Sequence, residues 1–146
     1  MLRRLLRRLA PAGAAPAQST GSPIEAADRL IADGRGAENE GRLREACAKY
    51  REAVTRAPQY PAAHLNLGAG LEAAGDPEGA FKCYEAVLAI EPANPYANYN
   101  LGNLLYARQT FAQAERYLRS ALERKPEFPE AHVVLSNLYD AQAKFE

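Results

Sequence analysis

Cysteine is scarce in this chain: Cys47 and Cys83 are the only two, too few for a disulfide framework or a zinc site of their own. The two sit in dissimilar sequence surroundings, which predicts semi-buried small apolar side chains in a reduced, cytoplasmic setting. Long hydrophobic runs are missing as well. No apolar stretch approaches the roughly 18 to 20 residues that span a bilayer. Net charge is absent, with 18 Lys and Arg against 18 Asp and Glu. No Gly-rich phosphate loop and no Cys-x-x-Cys pair occurs, and no Ser/His/acid or Cys/His set is placed to act together. The expectation is a chain with no catalytic residue, no metal and no cofactor.

The zero net charge hides an asymmetry. The first 23 residues hold Arg3, Arg4, Arg7 and Arg8 and no acid, leaving fourteen basic against eighteen acidic side chains in the rest. A body of that sign, without a basic stripe interleaved with aromatics, is a poor nucleic-acid binder. In the leader, Leu2, Leu5, Leu6 and Leu9 share one helical face and the four Arg the other. Two readings fit this pattern: a frayed N-terminus, which is favoured, and a short helix lying on an anionic membrane surface. No apolar core follows the charges as in a secretory signal. The Ala/Pro/Gly/Ser stretch PAGAAPAQSTGSP reads as a flexible linker, so residues 1–22 are set apart from a single domain over 23–146.

What the chain does have is self-similarity. Pro58, Pro92 and Pro126 recur at intervals of 34 residues, and Pro61, Pro95 and Pro129 repeat the interval three residues later. Leu67, Leu101 and Leu135 keep the register. So do Gly34, Gly68 and Gly102, with Ser136 following; Ala46, Ala80 and Ala114; and Tyr50, Tyr84 and Leu118. Small residues recur where helices must approach and bulky ones where a hole must be filled.

Each period spells two helices. Pro95 suits a first helical position, and the run to Arg108 contains neither Pro nor a β-branched residue. Thr110 is placed to cap a second helix from Phe111 to about Arg124, and Pro126 ends it. One unit earlier, Gly75 supplies a left-handed turn, Asp76 the cap and Pro77 the first helical position. Gln109 replaces that glycine in the third unit, so a tighter or strained turn is predicted there.

A 34-residue unit of two antiparallel helices with Leu101-Gly102, Leu105, Ala114, Leu118, Ala121 and Pro126 resembles the tetratricopeptide repeat. The second unit matches through Leu67-Gly68, Leu71, Ala80, Tyr84, Val87 and Pro92, and the first through Gly34, Ala46, Tyr50, Ala53 and Pro58. The resemblance implies an all-α solenoid, a right-handed superhelix of about 3.5 helix-turn-helix repeats over about 27–60, 61–94, 95–128 and a partial 129–146. Leu30, His64, Asn98 and His132 depart from the family pattern by standing where it has a large aromatic, and Asp33 stands where it has Leu. The two His lie on different units, so packing is the expected role rather than metal ligation.

In such a solenoid the first helices line a concave face. That places Arg35, Asn66, Tyr96, Tyr99, Asn100, Asn103, Tyr106 and Asn137 as the candidate groove, opposite the core residues Leu101, Leu104 and Leu105. Asn amides suit an extended peptide backbone and Tyr supplies rigid contact area. Two roles fit the Asn set: peptide capture, or tying neighbouring repeats together. The expected function is a non-catalytic protein-interaction scaffold that binds a protein or an extended peptide.

Repeats of this family that clamp chaperone C-terminal carboxylates use several cations on this face. The corresponding places here hold Ile31, Arg35, Asn66, Tyr96 and Asn100, with one cation, so no such binding is expected. The Asn100-Leu101-Gly102-Asn103 segment is similar to the Asn-lined superhelices of O-linked N-acetylglucosamine transferases. That likeness implies, as the alternative, the repeat region of a glycosyltransferase whose catalytic half lies outside the chain. The ending exposes Val133, Val134, Leu135, Leu138, Tyr139 and Phe145 without a covering second helix. Further repeats or self-association through this open end are expected.

Overall fold

The computed structural model describes residues 21–145, without the Phe145 side chain. The basic amphipathic leader and most of the linker lie outside the described residues. Seven helices follow one another: α1 (Pro23–Asn39), α2 (Leu43–Arg56), α3 (Pro61–Ala73), α4 (Pro77–Ile90), α5 (Pro95–Ala107), α6 (Phe111–Arg124) and α7 (Pro129–Phe145), with no strand among the described residues. The fold is an all-α solenoid of helix pairs.

Local chemistry sets the boundaries. Proline occupies the first turn of α1, α3, α4 and α5, where its fixed φ is suitable and its missing N–H is not needed. Asp76 caps α4 by accepting from the Gly79 amide at 2.9 Å. Asn94 caps α5 by accepting from the Tyr96 and Ala97 amides. Ser22 and Glu25 form a reciprocal capping box, which starts α1 four residues ahead of the 27–60 register. Thr110 precedes α6 but makes no side-chain capping bond, so the cap expected there is not formed.

The turn between paired helices has one shape in all three complete units. Gly41, Gly75 and Gln109 take φ of 75°, 83° and 59°. Closing bonds run from the Arg42, Asp76 and Thr110 amides to the Ala37, Leu71 and Leu105 carbonyls at 2.8–2.9 Å. The third turn is therefore no tighter than the others, and the predicted strain resides in the left-handed backbone of Gln109, a region that disfavours a Cβ. At the next equivalent position Ala143 stays helical, and α7 continues through the place where a turn would start.

Small-to-large complementarity builds the core. Ala27, Ala46, Ala63, Ala80, Ala97, Ala114 and Ala131 are all fully buried, which lets helix backbones approach. Tyr50, Tyr84 and Leu118, equally buried, fill the space over Gly34, Gly68 and Gly102. Each such side chain contributes on the order of 2–3 kcal/mol. The Tyr50 hydroxyl donates to Glu38 at 2.7 Å and the Tyr84 hydroxyl to Glu72 at 2.5 Å. Where Leu118 replaces the tyrosine, Tyr106 replaces the glutamate, so the pair changes together.

Every helix packs on the next, and α1 also packs on α3 and α5 on α7. No comparable packing joins α3 to α5, α2 to α4 or α4 to α6. The close pairs α1 with α3 and α5 with α7 put first helices on the inside of the curve and second helices around the outside. At the end of the array Leu138 is buried, Val134 and Leu135 are half-buried, and Val133 and Tyr139 are exposed. Tyr139 is nevertheless held, donating to Glu115 at 2.9 Å and accepting from Arg119 at 3.0 Å. No helix is long and apolar enough to cross a membrane among the described residues.

Candidate peptide-binding groove

All eight expected groove residues lie on first helices, but the structure divides them by what their polar atoms already do. Asn66 is committed. Its oxygen accepts from Arg35 Nε at 3.1 Å and its amide donates to the Ala62 carbonyl at 2.7 Å. This pair ties α1 to α3 and leaves little for a ligand, so at Asn66 the repeat-tying role is the one observed.

Asn100, Asn103 and Asn137 differ. None of their side-chain amides has a hydrogen-bond partner among the described residues, and none is buried. Each offers two donors and an acceptor to whatever enters. Tyr99 and Tyr106 stand beside them, half-buried. Tyr99 leans on Phe128 with centroids 4.8 Å apart, and Tyr106 on Phe111 at 6.0 Å. Tyr96 is 48% exposed, meets Phe128 edge to face at 5.8 Å and accepts a hydrogen bond from Lys125 Nζ. That ammonium lies 4.7 Å from the Tyr96 centroid and 4.5 Å from that of Phe128, a geometry in which ring quadrupoles attract a cation.

Phe128 is thus the buried anchor of the aromatic end of the groove. The sequence reading missed it, although an aromatic directly before Pro129 was a usable signal. Its counterpart Tyr60 instead donates to Asp28 at 2.7 Å, tying the turn before α3 to α1. A hollow of about 270 Å³ lined by Tyr106, Ala107, Gln109, Phe111 and Ala141 opens at the ends of α5 and α7. A second, of about 430 Å³, lies between the second helices α4 and α6, lined by Leu88, Gln113, Arg116, Tyr117 and Ser120 among others. It is on the outer seam, away from the free amides.

Of the four residues replacing the family's large aromatic, Leu30 packs against the core and the other three share one job. His64 Nε2 donates to the Pro58 carbonyl at 2.7 Å and His132 Nε2 to the Pro126 carbonyl at 2.8 Å. Asn98, 3% exposed, donates to the carbonyls of Pro92 and Asn94. Each pins the turn that ends the preceding unit, the packing role expected for the two His. No cluster of His, Cys, Asp and Glu able to hold a metal exists among the described residues.

The thiols are less separate than their sequence surroundings suggested. Both are buried and unpaired, and both feel Arg51 and Asp76 as charged neighbours. Burial pushes the Cys47 thiol up and that of Cys83 to about 11, which suits inert packing.

Paired helices in 34-residue register, small residues under Tyr50, Tyr84 and Leu118, and first helices facing a shared groove define a helical repeat scaffold. The chain belongs to the tetratricopeptide repeat family, whose model matches residues 31–97, 70–129 and 99–146. No curated protein matches in sequence. Among solved structures, the first TPR domain of Spaghetti (RPAP3) bound to the HSP90 peptide SRMEEVD is 21% identical with a TM-score of 0.77, covering 82% of this chain and 95% of that one. The Sgt2 TPR domain from Aspergillus fumigatus is 20% identical with a TM-score of 0.75, covering 81% and 80%. The Arabidopsis OM64 TPR domain is 19% identical with a TM-score of 0.76, covering 82% and 98%. At these identities the likeness is one of fold.

Proposed function

We propose that this chain is a non-catalytic protein-interaction scaffold that holds an extended peptide segment in the groove of α3, α5 and α7. The observation that carries the proposal is the row of unpartnered amides of Asn100, Asn103 and Asn137 beside Tyr99 and Tyr106. An extended strand has unpaired N–H and C=O groups along its length, and Asn satisfies both without regard to side-chain sequence. The tyrosines supply contact area at little cost in side-chain entropy. The two buried, unpaired thiols support a reducing, cytoplasmic setting.

In this reading the occupant differs from the acidic peptide SRMEEVD named for the RPAP3 structure. At the places expected to clamp a terminal carboxylate, Ile31 is buried and Asn66 is engaged by Arg35, while Tyr96 and Asn100 carry no charge. The glycosyltransferase alternative gains nothing from the groove, because the position of Asn66 and Asn100 is Ala32 in α1 and Val134 in α7, so the Asn row does not continue.

The test is capture of partners by the full chain and by its Asn100→Ala/Asn103→Ala/Asn137→Ala variant, with circular dichroism to show that both are folded. Partners retained by the wild type and lost by the variant are expected. An identical set from both proteins refutes groove binding.

A further inference from the structure

Charge on the first-helix face is predominantly negative. Asp28 with Glu130, and Glu38 with Glu72 and Asp140, hold matching groove-facing positions on α1, α3 and α7, against Arg35 and Lys144 on the same face and Lys125 at its rim. Arg35 is engaged with Asn66, and Lys125 sits on the rings of Tyr96 and Phe128. At the end where the free amides lie, Glu72 comes from one side and Glu130 from the other. Burial, then the carboxylates of Glu130 and Glu72, raises the Tyr99 phenol above its ordinary value, and no cation offsets them. Tyr99 directly precedes Asn100 in sequence and shares a face with Asn100 and Asn103, so a bound segment enters a negative field where its backbone would be gripped.

We infer that the segment held in this groove is cationic, an extended peptide bearing Lys or Arg. This rests on the groove being the binding site, as proposed above, and adds the chemistry of the occupant. Carboxylates on both sides of Tyr99 attract an ammonium or guanidinium and repel acidic side chains. Asp140 and Glu130 are exposed, so their carboxylates are accessible to a ligand. The selection is by field rather than by a fixed ion pair, and it weakens as salt shortens the screening length to a few ångströms.

The experiment titrates the full chain, by NMR of the Asn side-chain amides, with three peptides of about a dozen residues. They share a Gly/Ser/Leu background and differ in carrying four Lys, four Gln or four Glu. The Lys peptide is expected to bind about five- to tenfold more tightly than the Gln peptide at about 20 mM salt, and the Glu peptide more weakly than both. The preference should vanish at about 500 mM salt and shrink in Glu130→Gln/Asp140→Asn, which leaves Glu72 in place. A Glu peptide that binds as well as the Lys peptide, or a Lys preference that the double substitution leaves undiminished, overturns the charge inference and leaves the groove standing. Binding of all three that is indifferent to Asn100→Ala/Asn103→Ala/Asn137→Ala, or no binding by any of them, overturns the groove and the inference together. Tighter Lys-peptide binding after Arg3, Arg4, Arg7 and Arg8 are replaced by Gln supports the inference, since the chain's own basic leader would then be a competitor of the same chemistry.

Discussion

Gly36 and Gly68 both lie inside helices, yet replacing each with alanine should move stability in opposite directions. A Cβ added at Gly68 would stand 2.5 Å from Tyr84 Cε1 and 2.9 Å from its Cζ, whereas one at Gly36 meets nothing within 4 Å. Tyr84 cannot step aside easily, because it is fully buried and its hydroxyl is bonded to Glu72. Alanine gains about 1 kcal/mol over glycine in a helix interior at both sites. Only Gly68→Ala adds the steric cost of an overfilled core, about 1–3 kcal/mol. Gly36→Ala should therefore stabilise the fold by up to about 1 kcal/mol, and Gly68→Ala should be neutral to destabilising by about 2 kcal/mol. The gap between them, about 1–3 kcal/mol, isolates the contact because the propensity gain cancels. Urea unfolding followed by circular dichroism measures both, with unchanged slopes showing that the unfolded state is the same. Equal stabilities within about 0.5 kcal/mol would refute the close approach of α3 to the Tyr84 ring.

The same assay tests three other positions. Gln109→Gly should stabilise by about 0.5–1 kcal/mol by relieving the left-handed Cβ, while Gly75→Ala, whose added Cβ meets nothing within 4 Å, should cost about 1 kcal/mol through backbone conformation alone; no difference in sign between the two would count against the common turn. Asn98→Ala should cost about 1–3 kcal/mol, since it removes the bonds that buried Asn98 donates to the Pro92 and Asn94 carbonyls and leaves its space unfilled; a loss below about 0.5 kcal/mol would show that these bonds are dispensable. Cys83 should be alkylated far more slowly in the folded chain than in urea at pH 8, because burial holds its thiol at about 11. The neutral thiol is the form the fold favours, so its contribution is complete below its ordinary value near 9 and is lost as pH rises toward about 11. Tyr50 and Tyr84, also raised by burial and then by their glutamates, act in the same direction. Stability measured at pH 8, 10 and 11 should fall, and a flat profile would contradict the burial of these groups.

The repeat was legible in the sequence because its causes are local and recur. Pro58, Pro92 and Pro126 end helices, Pro61, Pro95 and Pro129 start them, and Gly75 bends the chain, each by a backbone restriction that holds wherever the residue occurs. The faces were legible too, since helical period decides which side chains point inward. What each groove residue does could not be read that way. Asn66 and Asn100 hold the same place in consecutive units, yet one is bound to Arg35 and the other is free. That difference depends on the residue one repeat back, Arg35 against Ala69, and on the distance between helices that only packing sets. The shared neighbourhood of Cys47 and Cys83 and the carboxylates flanking Tyr99 were hidden for the same reason. The sequence determined the repeating unit and its two faces. The tertiary structure decided which polar atoms on the concave face satisfy one another across units and which are left for a partner.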